Sequence, residues 1–466
     1  VVPAGVFSPT AGAPPEGAAG YDRLRQRLFL AMVFLLPLHT VFLRAWVAWK
    51  PFLVLLVAVV SVDLWAWHRT GRWPWHRPAS LALGVFLAAL LLGFPGVEHG
   101  DGFLRLWLSV LVGGMVLLVT ERSLRLNGML ERLLRVQFLS AATLATTGVV
   151  FTLTAVGAFG HSALAWVNDI PGVLRVTKAA YLEEGFVVLT NWHHEPGYGA
   201  SWATLWAVLV LASSARGLAS GRWWVDAVVL GGLAFGVVVA FSRTAWLVLP
   251  LAFLTATALL TWTRRARLRD LARQLLGATL VAGALLAVVW GVDPRDVDGD
   301  LDRQFAFRWH QGCELVGSFG LWWESEVGFE DAFDASEKRP EVWAWYLEAF
   351  LDHPLTGIGL GVGRDAIAFE PHNLFIQLLG ESGAFGLLAF LLLLGVVIRQ
   401  GRGVVGAVAL AAAFMPLMTL TVLFEPTWWF AAGLLLGGHG QPPAPTGDPR
   451  TVAARPSSTA STGCRS

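Results

Sequence analysis

Long apolar runs separated by short polar joints dominate the chain. Several exceed the roughly 18 residues needed to cross the hydrocarbon of a bilayer. Lipid offers no partner to backbone N–H and C=O groups, so such runs must be helical. The pattern predicts twelve spans, at 27–43, 47–67, 79–96, 103–120, 134–158, 198–214, 223–241, 244–262, 275–292, 373–398, 404–423 and 426–440. The last is short and is read as tilted or partly interfacial. Two joints are long, 159–197 and 293–372. A structureless loop of the second length is improbable, and it carries a helical pattern. Pro340 suits a first helical turn. Trp343, Leu347, Phe350 and Leu351 follow at helical spacing and predict one apolar face laid over the bundle, with Arg339 one turn earlier on the same side. His353-Pro354 ends that helix, and Gly357 opens a glycine-rich turn.

Composition decides the class. Hydrophobic residues make up 55% of the chain and charged residues 14%, which excludes the two or three soluble domains that 466 residues would otherwise suggest. The 23 tryptophans suit a protein with indoles at two membrane–water interfaces. The expectation is an all-α, polytopic integral membrane protein with about twelve transmembrane helices and a long, partly helical outer loop. Its partner is the lipid bilayer, and a net charge of +1 gives no reason to expect nucleic acid. Residues 1–20 are Gly/Ala/Pro-rich and read as a disordered cytoplasmic lead, and 441–466 as a disordered cytoplasmic tail. Between them, 21–440 is expected to form a single transmembrane domain. Cys313 and Cys464 fall on opposite sides in this scheme, so no disulfide is expected, and no Cys/His spacing suggests zinc.

Charge placement sets the orientation. Alternate joints carry Arg23/Arg25/Arg27, Arg69/Arg72/Arg77, Arg122/Arg125/Arg132/Arg135, Arg216/Arg222, Arg264/Arg265/Arg267/Arg269/Arg273 and Arg399/Arg402. The intervening short joints hold only Arg44, Lys50, Arg105, Arg175, Lys178 and Arg243. The positive-inside rule then places both termini in the cytoplasm and both long loops outside. The 293–372 loop is acidic, with seventeen Asp/Glu against six Arg/Lys, unlike a cytoplasmic loop.

Three places on the outer side could carry chemistry. Arg243, in Ser242-Arg243-Thr244, is a guanidinium at the membrane boundary that either snorkels or binds a phosphate in bidentate fashion. Arg339 either pairs with its neighbours Glu337 and Glu341 or serves the same anion. His372, in Pro371-His372-Asn373, either simply opens a helix with Asn373 as its cap or acts as a near-neutral base. Their common side of the membrane is what favours the functional readings. His193-His194-Glu195-Pro196-Gly197-Tyr198 ends the other outer loop. Adjacent histidines seldom converge on one ion and no H-x-x-x-H is present, so His194, Glu195 and Tyr198 are read as lining a substrate entrance, with no metal. Gly357 to Gly363 lacks the Gly-Lys-Ser/Thr of a P-loop and reads as tight turning beside the membrane. Asp63 and Glu381 lie in or near spans. Intramembrane acids point to function by default, but Asp63 is near a cytoplasmic end, where water can reach it, whereas Glu381 is expected to orient a neighbour.

These residues resemble the O-antigen ligase and polymerase superfamily, the Wzy_C group of membrane glycosyltransferases. The resemblance rests on Phe241-Ser242-Arg243-Thr244-Ala245-Trp246, Arg339 with Trp343, Asp352-His353-Pro354-Leu355-Thr356-Gly357-Ile358-Gly359, Pro371-His372-Asn373 and Glu381-Ser382-Gly383-Ala384-Phe385-Gly386. It covers about 225–400. It implies a GT-C-like fold in the bacterial inner membrane, with the active site periplasmic. It implies transfer of a glycan from an undecaprenyl-diphosphate carrier to an acceptor hydroxyl, on lipid A-core or another glycan, with inversion and without metal or cofactor. Arg243 and Arg339 then correspond to the diphosphate-binding pair, and His372 to the residue that engages the acceptor hydroxyl. Asn373 and Glu381 join the substrate lining. At His193-His194-Glu195-Pro196-Gly197 the chain departs from an Asn-Pro-Asn-like pattern, which bears on substrate identity.

Three other functions fit parts of the chain. A repeat-unit polymerase would use the same chemistry with a growing glycan as acceptor. A solute transporter would show repeated halves and midplane charges, which the sequence lacks. An intramembrane protease would need Ser201 and His372 to act together, but Ser201 has no strained-loop context.

Overall fold

The computed structural model describes residues 18–38, 42–44, 48–49, 51–97, 100–126, 128–155, 174–175, 180–183, 186–189, 196–240, 243–263, 266–291, 338–367, 371–401, 403–417 and 425–438. Among them the α-helices are, in chain order, α1 (Ala18–Leu35), α2 (Pro51–Thr70), α3 (Arg77–Leu91), α4 (Gly100–Leu124), α5 (Met129–Ala155), α6 (Pro196–Ala215), α7 (Trp223–Val239), α8 (Arg243–Trp262), α9 (Leu268–Gly291), α10 (Lys338–Asp352), α11 (Val362–Ile367), α12 (Leu374–Gln400), α13 (Val404–Leu417) and α14 (Pro426–Gly437). Five short strands complete the described structure. β1 (Phe42–Arg44) pairs antiparallel with β2 (Ala48–Trp49) and with β3 (Leu174–Arg175), and β4 (Ala180–Glu183) pairs with β5 (Phe186–Leu189). The sequence gives no hint of these strands.

From the second onward, the predicted spans coincide with helices, with ends shifted by up to seven residues. The first does not. In place of a span at 27–43, α1 ends at Leu35, a single 3-10 turn covers Leu36–Leu38, and β1 follows. Pro37 accounts for the break, since it has no N–H for the helical ladder and its ring clashes with the preceding turn. Among the described residues, five segments are long and apolar enough to cross a membrane: Pro51–Thr70, Gly102–Leu124, Met129–Leu153, Leu268–Val289 and Leu374–Gln400. Other apolar helices, including Trp223–Val239 and Val404–Ala413, are shorter along their described length.

At the centre stand α6 and α14, which are apolar all round and therefore buried all round. Trp202, Trp206, Trp428 and Trp429 are fully enclosed. A run of ring contacts crosses the bundle from α6 to α3: Trp206 on Phe430 at 5.6 Å, Trp428 on Phe390 at 5.4 Å, and Phe390 on Phe86 at 5.6 Å. Glycines let α4 and α14 close on each other, because a side chain at Gly113 would collide with Trp429 and one at Gly433 with Leu117 and Thr120.

The acid at Asp63 differs from its expectation. It is fully buried, not solvated. It accepts hydrogen bonds from both Arg25 Nε and NH2 and, at 3.2 Å, from Trp75 Nε1, while Arg122 lies 3.2 Å away. Arg25 also donates to Ser123 Oγ at 3.2 Å. This network clamps α1, α2 and α4 together, through arginines that the charge pattern assigns to two different joints.

Candidate functional site

Among the described residues, irregular backbone gathers at the start of α12. Asn373 is its N-cap, accepting from the N–H groups of Phe375 at 3.0 Å and Ile376 at 3.2 Å. The residue before the cap, His372, has φ 47°, the only positive φ of a non-glycine among the described residues. An L-residue adopts this conformation at some cost, usually where the surroundings hold it. One element of that hold is visible: Trp343 of α10 donates its indole N–H to the carbonyl of Pro371 at 2.7 Å. Both alternatives for Pro371-His372-Asn373 are thus partly realised, since Asn373 does cap the helix while His372 stands outside it in a constrained backbone.

Nearly three turns further on, α12 breaks. Gly383 has φ 63° and ψ −164°, a combination open only to glycine. The backbone groups released by the break are taken up by the segment after α10. Ile358 N donates to Gly380 O at 3.1 Å and Gly359 N to Glu381 O at 2.8 Å, while Ala384 N donates to Pro354 O at 2.9 Å and Phe385 N to Leu355 O at 3.1 Å. This exchange lets non-helical backbone lie inside a membrane helix, because these four groups are paired within protein. It also explains the glycines. A Cβ at Gly357 would strike the Glu381 backbone, one at Gly383 the Leu355 backbone, and ones at Gly363 and Gly380 would strike Tyr346. The tight turning expected over 357–363 is present, with positive φ at Gly357, Gly359 and Gly361.

Glu381 sits in this junction at 1% exposure. Its Oε2 accepts from Gln377 Nε2 at 3.1 Å, and Tyr346 Oη donates to Oε1 at 3.4 Å. The acid therefore couples α10 to α12 at the level of the break.

The helix predicted in the long loop is present as α10, but the expected apolar face is not the one that packs. Val342, Tyr346 and Ala349 are buried against α12, whereas Trp343, Leu347 and Leu351 are exposed at 37%, 43% and 73%. Phe350 is half-buried. A tyrosine that can reach Glu381, flanked by small residues that let two helices approach, wins the inner face over the bulkier leucines.

Arg339 lies in the first turn of α10, one turn ahead of Trp343, so the bond to Pro371 brings its backbone to the His372 end of α12. Arg243 opens α8. The far end of α8 is fixed by a small cavity where Leu260 meets Leu124, Gly403 and Gly437, beside the contact between Gly401, which caps α12, and Leu435. The C-terminal ends of α8 and α12 thus share one end of the bundle. A helix rises about 1.5 Å per residue, so the N-terminus of α8, with Arg243, lies toward the end that holds His372. The α3–α4 joint marks that end too, since a side chain at Gly359 would collide with Val97. The side chains of Arg243 and Arg339 are outside the described residues. So are His194 and Glu195, while Tyr198 falls within the first turn of α6.

Sequence reasoning missed Trp343 as a hydrogen-bond donor and Tyr346 as the partner of Glu381. Both are aromatic residues with a polar edge in an otherwise apolar helix, and that was the available signal.

Residues 227–391 match the family model Wzy_C, described as O-Antigen ligase. The matched segment runs from α7 into α12 and includes Arg243, Arg339, His372, Asn373 and Glu381, but not His194, Glu195 or Tyr198. No curated protein matches the chain. The resemblance is therefore established over the segment that holds the broken helix, and it is to a family of membrane glycosyltransferase-type enzymes.

Proposed function

We infer that the protein transfers a glycan from a polyprenyl-diphosphate carrier to an acceptor hydroxyl, as an O-antigen ligase does, at the outer face of the bacterial inner membrane. The observation that carries this reading is the Trp343–Pro371 hydrogen bond inside the matched segment. It draws the helix whose first turn holds Arg339 to the strained His372, at the end of the bundle where α8 begins with Arg243.

The chemistry follows from the residue types. The acceptor oxygen attacks the anomeric carbon as the bond from that carbon to the diphosphate oxygen breaks, which inverts the centre. His372 takes the hydroxyl proton, and a positioned base of near-neutral pKa contributes about 10²–10⁴-fold. Arg243 and Arg339 bind the diphosphate and offset the charge that develops on it as it leaves. Asn373 caps α12 immediately after the base, and Glu381 holds α10 to α12. The substrate entrance is assigned to His194, Glu195 and Tyr198 at the end of the first outer loop.

The test is donor-dependent transfer by purified protein supplied with a polyprenyl-diphosphate glycan. Transfer to lipid A-core alone is expected; a ladder formed without added acceptor would make the protein a polymerase of the same chemistry. His372→Ala and Arg339→Ala are each expected to abolish transfer at unchanged expression and membrane insertion. Full activity in His372→Ala would remove the base. Counterflow of a labelled solute in proteoliposomes, unaffected by Arg243→Ala, would replace the transferase with a transporter.

A further inference from the structure

The opposite end of the bundle holds a second polar site, which glycan transfer leaves without a role. A cavity of about 630 Å³ opens between the α7 and α9 ends of two joints, 216–222 and 263–267. Its lining includes Trp223, Arg267, Asp270, Arg273 and Gln274. The Arg273 guanidinium lies 3.9 Å from the centre of the Trp223 ring, which fixes a flexible cation at the rim.

Not every charge here is available to a ligand. Asp226, buried in the wall, is saturated: it accepts from Ser214 Oγ at 2.6 Å, Ser220 Oγ at 2.5 Å and Ser220 N at 3.1 Å. Arg267 and Asp270 are different. Both line the cavity three residues apart, yet neither forms an ion pair among the described residues. Gln274 is 7% exposed, and its Nε2 donates to Ser214 Oγ. Because the Ser214 hydroxyl is spent on Asp226, the glutamine must present its amide N–H to Ser214. Its Oε1 has no donor among the described residues but is closed off from solvent, so the glutamine belongs to the wall. The cavity therefore offers two cations and one free carboxylate.

The surface beyond the cavity suggests what carries the complementary charges. Leu276 and Leu280 stand three and seven residues after Arg273 and so lie on its helix face, at 63% and 66% exposure. A molecule held at Arg273 would lay apolar chains along that stripe. Trp262, at 88% exposure, closes α8 nearby, as expected of an indole at a membrane–water interface.

We propose that this cavity binds the headgroup of a membrane phospholipid bearing a phosphodiester and a primary ammonium, as in phosphatidylethanolamine. Arg267 and Arg273 take the phosphate, Asp270 takes the ammonium, and the acyl chains run down Leu276 and Leu280. Basic pockets at the ends of membrane helices commonly hold lipid headgroups. The free carboxylate favours an ammonium-bearing headgroup over a purely anionic one.

Native mass spectrometry of the full-length protein, released from nanodiscs of defined composition, tests this. Phosphatidylethanolamine should be retained about tenfold better than phosphatidylcholine, whose quaternary nitrogen cannot donate, and better than phosphatidylglycerol. Arg267→Ala/Arg273→Ala should lose that retention, and Asp270→Asn should lower it while leaving phosphatidylglycerol unchanged. Equal retention of the three lipids by the wild-type protein would overturn the proposal without any variant. Undiminished retention by the double variant would overturn the phosphate assignment, and by Asp270→Asn the ammonium assignment. Soluble glycerophosphoethanolamine should not displace the lipid at millimolar concentration; displacement would mean that the site serves a free solute.

Discussion

The α6–α14 centre and the α10–α12 junction are both almost wholly buried, yet they are built by opposite means. In the first, unbroken helices meet through Trp202, Trp206, Trp428 and Phe430, and Gly113 of α4 only makes room for the neighbouring Trp429. In the second, a helix is interrupted at Gly383, a neighbouring segment supplies four backbone hydrogen bonds to the gap, and a carboxylate is enclosed beside it. Apolar packing resists deformation but has nothing to offer a substrate. The junction gives up helical regularity and gains a fixed polar frame, which ends in the one strained non-glycine residue among those described, His372. The family match covers the junction and leaves α6 and α14 outside.

Three substitutions probe this contrast. The largest effect is expected from Trp206→Ala, which empties the α6–α14 centre. A buried Trp→Ala change costs about 3–5 kcal/mol, so thermal unfolding in detergent should shift down strongly while transfer per folded molecule stays near normal. A selective loss of turnover with unchanged stability would place this core in the mechanism instead. Gly383→Ala should be smaller in stability, about 1–3 kcal/mol for a forbidden backbone conformation, but severe in activity, because the new methyl collides with the Leu355 backbone and displaces the segment that fills the break. Normal transfer by this variant would show that the break is only architectural. Trp343→Phe should be mildest. It removes one hydrogen bond, worth about 0.5–1.5 kcal/mol, and should reduce kcat several-fold with little change in KM for the lipid-linked donor. An equal rise in KM would instead make Trp343 a substrate contact.

Much of this was legible in the chain. Hydrophobic periodicity located the helices, because a bilayer demands internal hydrogen bonding and only one secondary structure supplies it within a single run. Glycine also spoke locally, since Gly357, Gly359 and Gly361 took the positive φ values of the expected tight turn, whereas the span expected over 27–43 ran across Pro37, which ends α1 early. The face of α10 could not be read this way. Trp343, Leu347 and Leu351 form the more apolar stripe, but helical spacing only says that a stripe exists, not which neighbour it meets. In a membrane protein an apolar stripe can as well face lipid. Asp63 was misjudged for a similar reason, since its partner Arg25 lies 38 positions away and no local pattern joins them.

By itself, then, the sequence determined the helical class, the approximate helix positions and the short list of polar residues with chemistry to offer. All of these follow from one-dimensional constraints, namely span length, backbone satisfaction and side-chain type. The tertiary structure alone decided that 354–359 would splint the break at Gly383, that Tyr346 rather than the leucines would face inward, and that Trp343 would fasten Pro371. Each of these joins residues far apart in the chain, and the outcome depends on which surfaces fit at close range and which polar groups would otherwise be left unpaired.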